Sequence, residues 1–213
     1  MVIRHASFDH GWYYHYRVHQ PKAAQLLQPY PELHRYLLQM FSECPHEYFL
    51  TGPRSSGLRF PLESLRLRQV TGHEVSSLAR EGLEANEERF KSNHSKVQVF
   101  MLEHDSSTVA MEVPLWLEPS ELPSLLPLRS ALPLTGHIDL LRVEGDKVWI
   151  WDFKPGAAQE VYARTQTYCY ALMLSQRTGI PLETIRCGYF DQSTAFVFRP
   201  ERNLIREAQA MLD

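Results

Sequence analysis

"TGHIDLLRVEGDKVWIWDFKPG" runs from Thr135 to Gly156. Two apolar runs flank Glu144-Gly145-Asp146, a tight-turn signal, so the stretch predicts an antiparallel hairpin. Strand side chains alternate between faces. Alternation groups Val148, Ile150, Asp152 and Lys154 on one face of the second strand. Trp149, Trp151 and Phe153 fall on the other, which suits packing against helices. On the first strand it groups His137 with Asp139, and Ile138 with Leu140. Pairing about Gly145 then makes Asp139 and Asp152 close neighbours at the end of the ladder far from the turn. Carboxylates that close repel unless a cation or a proton sits between them. Mg²⁺ or Mn²⁺ is the expected cation, because hard ions prefer carboxylate oxygen. Lys154 reaches the same point, where it can orient a water or offset charge on a phosphoryl group. The competing reading is a surface ion pair between Asp152 and Lys154, which contributes little.

A helix is expected next, from about Ala158 to Arg177, stopped by Gly179 and Pro181. Gln166 and Tyr170 are four apart and share a face, with Tyr162 beside them. Their amide and phenol groups can hold a phosphate or an attacking water. Equally, they fit a partly buried helix whose tyrosine OH finds a backbone partner. "TIRCGYF" and "AFVFR" read as short strands, and "ERNLIREAQAMLD" as a closing helix. Upstream, residues from about Glu32 to Leu50 read as a helix interrupted at Pro45. Thr71-Gly72-His73-Glu74 fits a capping box that starts a second helix. "SKVQVFML" and "STVAMEVPLWL" read as strands. The order predicts an α/β domain with a mixed central sheet flanked by helices. Residues 1–213 are expected to form a single domain, with 1–70 as an N-terminal, partly helical extension and 71–213 as the core.

Composition narrows the class. With 44% hydrophobic and 22% charged residues, the chain suits a packed core rather than disorder. No apolar run approaches the ~20 residues of a membrane span. The N-terminus shows no apolar signal-peptide region, so a cytoplasmic protein is expected. Cys44, Cys169 and Cys187 are widely spaced, which suits a reducing compartment. A net charge of −3 argues against a generally basic nucleic-acid binder but leaves room for a local, metal-assisted site.

G-x-x-D (Gly136, Asp139), D-x-K (Asp152, Lys154) and Q-x-x-x-Y (Gln166, Tyr170) follow one another in order. Together they resemble the RecB-type branch of the PD-(D/E)XK nuclease superfamily. That branch includes nuclease domains of bacterial recombination exonucleases and CRISPR-associated exonucleases. Cys44-Pro45 is similar to the family's Cys-Pro helix, and Glu112 to the acid of the strand before G-x-x-D. The resemblance implies a restriction-endonuclease-like fold. It also implies a metal-dependent deoxyribonuclease, with an exonuclease favoured, that acts in DNA repair, recombination or defence. Asp139, Asp152 and the Phe153 backbone carbonyl would hold Mg²⁺ or Mn²⁺. Lys154 would position the water, and Gln166 and Tyr170 would support Lys154 or the DNA. DNA is the implied partner, with a helicase or another nuclease-complex subunit as a protein partner. A catalytically silent member that binds DNA or protein is the alternative.

The family often carries a metal-binding histidine in its first core helix. His73 is the candidate here, although it follows Gly72 directly; Glu74 and His137 are weaker ones. Some members bind an iron–sulfur cluster through four cysteines. Three dispersed cysteines cannot supply four thiolates, so none is expected. In "GWYYHYRVHQP", the aromatics with His15 and His19 suit base stacking, metal binding, or a strand that packs aromatics on the surface. Arg54, Arg59, Arg66 and Arg68 form a loosely basic stretch, suited to phosphate contact or to a solvated loop.

Overall fold

The computed structural model describes residues 2–60, 62, 65–126, 128 and 130–202. The expected closing helix falls almost wholly outside them. The chain begins with a hairpin, β1 (Ile3–Asp9) and β2 (Tyr13–His19), then α1 (Gln20–Leu26), α2 (Pro31–Glu43) and α3 (His46–Thr51). Next come β3 (Arg68–Thr71), α4 (Glu74–Ala85), α5 (Asn93–His104), β4 (Thr108–Leu117) and α6 (Leu122–Leu125). The hairpin β5 (Leu134–Glu144) and β6 (Lys147–Phe153) precedes α7 (Ala163–Thr178), β7 (Ile185–Phe190) and β8 (Thr194–Phe198).

Among the described residues, eight strands form one sheet in the order β1-β2-β4-β5-β6-β7-β8-β3. Its pairs are antiparallel except β6–β7. A parallel pair needs a crossover, and α7 supplies it. Helices cover both faces. Leu33, Leu37 and Phe49 of α2 and α3 pack with α7 on one face. Val75 and Ala79 of α4 and Val97 and Met101 of α5 pack on the other, with Trp151 and Phe153. The described residues before β3 therefore carry a strand hairpin as well as helices, and the hairpin joins the rest of the sheet through β2 and β4.

The β5–β6 turn is the expected one. Glu144 pairs with Lys147, and Gly145 takes a φ of 59° at the first turn position, as a type II′ turn requires.

Two helix assignments need correction. "SKVQVFML" lies within α5 and is not a strand. Ser92 caps that helix, its Oγ accepting from Ser95 N at 3.0 Å. Val97, Gln98, Met101 and Leu102 form the buried helical stripe, and Val99 is buried beside it, so an alternating pattern hides a helix. The capping box does not form either. Thr71 ends β3, and His73 caps α4 by accepting from Val75 N at 3.3 Å. Glu74 turns to Arg142 at 2.8 Å instead.

Candidate active site

The β5–β6 ladder ends at the pair Leu140–Trp151. Asp139 and Asp152 are the next residues of the two strands beyond that pair. Asp139 Oδ2 accepts from the Phe153 amide at 2.9 Å. Asp152 is fully buried, and Gln166 Nε2 lies 3.3 Å from its Oδ1. Lys154 Nζ forms an ion pair with Asp152 Oδ2 at 2.8 Å. The same Gln166 amide donates to Tyr170 OH at 2.8 Å. The pairs drawn from the hairpin and from α7 thus meet at one point.

Glycine at 136 has a packing cause. A Cβ there would lie 2.4 Å from Tyr170 Cε1 and 2.6 Å from Ser55 Oγ. Gly136 therefore lets the Tyr170 ring lie against β5, three residues from Asp139.

Strict alternation fails on β5 and β4 at this point. Ile138 and Leu140 pack into opposite cores, and so do Val113 and Met111 opposite them. The slip is centred on Asp139 and on Glu112 of β4. Glu112 has a φ of 53°, the left-handed region that non-glycine residues rarely enter. Such strain costs of order 1–3 kcal/mol and collects at functional sites. It turns the Glu112 carboxylate into the same cavity as Asp139. Gln98 Nε2 donates to Glu112 Oε1 at 2.7 Å, while the buried Oε2 has no partner among the described residues.

The cavity is ≈360 Å³ and opens between the β1–β2 hairpin, the start of α5 and the β4–β5 face. Asp139, Glu112, Gln166 and Tyr170 line it. His94, on the first turn of α5, lines it too, with Nε2 3.7 Å from Asp139 Oδ2. His73 lies elsewhere, its ring edge-on to Trp151 in the α4–α5 core. His94 went unassigned in the sequence because its helix reads as a strand. The signals available were the Ser92 cap and the spacing of four from His94 to Gln98. Of the four arginines noted, Arg54 lines the cavity and bonds to Tyr14 OH and the His10 carbonyl. His15 and His19 do not meet. His15 bonds to Ser7, and His19 caps α1. Trp12 and Tyr13 stand exposed at the cavity mouth, at 74% and 68%.

The charges fit a cation. Burial, and then the neighbouring Asp139, push the Glu112 and Asp152 carboxyls above their ordinary range. Burial alone would lower the Lys154 ammonium, but Asp152 and Asp139 outweigh it and hold the charge. Burial, and next the acids, push the Tyr170 phenol well up, so it stays neutral. Three converging acids, with a buried Glu112 oxygen that has no partner among the described residues and an Asp152 oxygen held by Lys154 alone, suit a hard divalent ion with oxygen ligands.

This chain matches the family model of the PD-(D/E)XK nuclease superfamily over residues 36–210. The chain belongs to that superfamily. The eight-stranded, mostly antiparallel sheet between helix layers agrees with its restriction-endonuclease-like fold. Membership implies nuclease activity on DNA, and nucleases of this superfamily typically use divalent metals. No curated protein matches the chain. Among the described residues, no helix is long and apolar enough to cross a membrane.

Proposed function

We propose that the protein is a Mg²⁺- or Mn²⁺-dependent deoxyribonuclease of the RecB-like branch, acting on DNA ends. The meeting of Glu112, Asp139, Asp152 and Lys154 at the open end of one ladder carries the reading. Asp139, Asp152 and the Phe153 carbonyl would hold the metal, with Glu112 beside them and His94 in the place expected of His73. A divalent cation supplies Lewis acidity at the attacked phosphate and a lower pKa for the attacking water. Lys154, kept charged by Asp152, orients that water and offsets charge that develops on the phosphate. Gln166 fixes the Asp152 carboxylate and, through Tyr170, ties α7 to β5. Arg54 meets the DNA backbone, and Trp12 and Tyr13 offer stacking surfaces for bases. The resemblance to recombination nucleases makes a helicase or another nuclease subunit the expected protein partner in repair, recombination or defence.

The test is incubation of purified protein with labelled single- and double-stranded DNA in Mg²⁺, Mn²⁺ or EDTA. Shortening from the ends with either metal and none in EDTA is expected. Nicking of closed circles would replace the exonuclease reading with an endonuclease one. Tight DNA binding without cleavage on any DNA would favour a silent member of the family.

A further inference from the structure

Three histidines and a cysteine converge beside the cavity in a cluster that DNA hydrolysis does not use. His10 sits in the β1–β2 turn and is fully buried. Its Nδ1 lies 2.8 Å from His137 Nε2 of β5, and its Nε2 lies 2.8 Å from His46 Nδ1. His46 is the exposed first residue of α3. Cys44 lies two residues before it, across Pro45, and its thiol is buried and free. One donor atom from each of His10, Cys44 and His46 lies within 4.8 Å of the other two.

We propose that His10 Nε2, His46 Nδ1 and Cys44 Sγ form a zinc site, separate from the carboxylate cluster. The donor set decides the metal. Imidazole and thiolate select a borderline-soft ion such as Zn²⁺, whereas Mg²⁺ and Mn²⁺ favour oxygen. Cys44 and His46 reach one point because the helix breaks between α2 and α3. Cys44 and Pro45 are both in non-helical backbone there. His10 is aimed by the partner of its other nitrogen. In the tautomer in which His10 Nδ1 donates to His137 Nε2, Nε2 of His10 is left for a metal, the role outer-sphere partners play at zinc sites. The Phe49 ring stacks on His10 at 4.1 Å between centroids and holds its plane. The exposed side of His46 offers a way in.

The His10–His46 distance requires a small adjustment. Tetrahedral zinc at ~2.0–2.1 Å from each nitrogen sets them about 3.3 Å apart, so the 2.8 Å contact opens by about 0.5 Å. Rotation of the exposed His46 ring provides that. Binding releases the thiol proton of Cys44 to solvent, moves the proton of the His10–His46 hydrogen bond through solvent to Nε2 of His46, and forms one Zn–S and two Zn–N bonds, with no change of oxidation state. A water completes the fourth position. The ion would clip the tip of the β1–β2 hairpin to the α2–α3 junction and, through His137, to β5 near Asp139.

The test uses the full chain, stripped of metal and titrated with Co²⁺ and then Zn²⁺. Wild type should show a thiolate-to-cobalt charge-transfer band in the near ultraviolet that stoichiometric Zn²⁺ removes. Zn²⁺ should raise its melting temperature by several degrees. Cys44→Ser should abolish the band. His46→Ala should abolish the Zn²⁺ stabilisation measured against its own metal-free form, whose melting temperature is lower than that of wild type because the buried His10 Nε2 loses its partner. Asp139→Asn should leave band and stabilisation intact, which keeps this result independent of the nuclease reading. The absence of a thiolate band in wild type would overturn the proposal whether or not the Cys44 variant folds. Zinc stabilisation that survives His46→Ala, or that vanishes with Asp139→Asn, would overturn it too. The histidines would then be a hydrogen-bonded chain of rings that holds the hairpin tip to β5 and α3.

Discussion

Strand β5 carries two ionic clusters three residues apart, and they are built in opposite ways. Around Arg142, which is fully buried, every charge has a partner. Its guanidinium reaches Asp105 at 2.8 and 3.2 Å, Glu144 at 2.7 Å and Glu74 at 2.8 Å. Asp105 also accepts from Ser107 N and Thr108 Oγ1. Around Asp139, three acids meet one lysine, an oxygen of Glu112 has no partner among the described residues, and the backbone at Glu112 is strained. The first cluster is closed by its own cation and holds the fold together. The second stays open to a cavity, and an ion from solution can complete it.

The difference can be broken or sharpened by substitution. Lys154→Met keeps much of the stem and removes the charge. Single-turnover cleavage should fall by roughly 10²–10⁴, the scale of a positioned catalytic group. DNA affinity in Ca²⁺ should change little, since one phosphate contact among several is lost. Equal cleavage by the variant would make Lys154 a mere ion-pair partner.

Arg142→Met should act the other way. It strands Asp105 without its cation, and breaking a buried pair costs ~3–5 kcal/mol. Denaturant unfolding should show that loss with or without metal. A small loss would mean that water already carries the cluster.

Glu112→Gln removes a repelling charge from the open cluster. Metal-free stability should rise by about 0.5–2 kcal/mol while cleavage falls, the usual trade at a functional site. A clear loss of stability would place Glu112 in the same structural class as Asp105.

The smallest effect concerns acid. Burial works against the Asp105 carboxylate, but Arg142, Thr108 and the Ser107 amide outweigh it and hold it below the ordinary range. Its folded pKa is thus below its unfolded value of about 3.9, so its contribution is full above that pH and is lost as pH falls through the folded value. Asp105→Asn should flatten the acid limb of the stability curve. An unchanged limb would assign acid unfolding to other groups.

Much of the site is legible in the sequence because it is local. One hairpin and one helix carry Asp139, Asp152, Lys154, Gln166 and Tyr170, and their periods bring them to one end. The edge strands were not legible. β1 and β3 have a neighbour on one side only, and most of their residues are exposed, so no alternating pattern marks them. Helix α5 buries Val99 beside its Val97–Gln98–Met101–Leu102 stripe, which gives the sequence an alternating look and hid His94. The slip at Glu112 and Asp139 needs two strands at once to be seen. The His10–His46–His137 chain is purely tertiary, spanning 127 residues of sequence between His10 and His137.

The most direct measurement is calorimetric Mn²⁺ binding to wild type, Asp139→Asn and Asp105→Asn. The open-cluster account predicts a Mn²⁺ site in wild type that disappears in Asp139→Asn, because one of its anionic ligands is gone. It predicts that Asp105→Asn, which alters the closed cluster, binds Mn²⁺ like wild type. Equal binding by wild type and Asp139→Asn would contradict it and put the metal elsewhere.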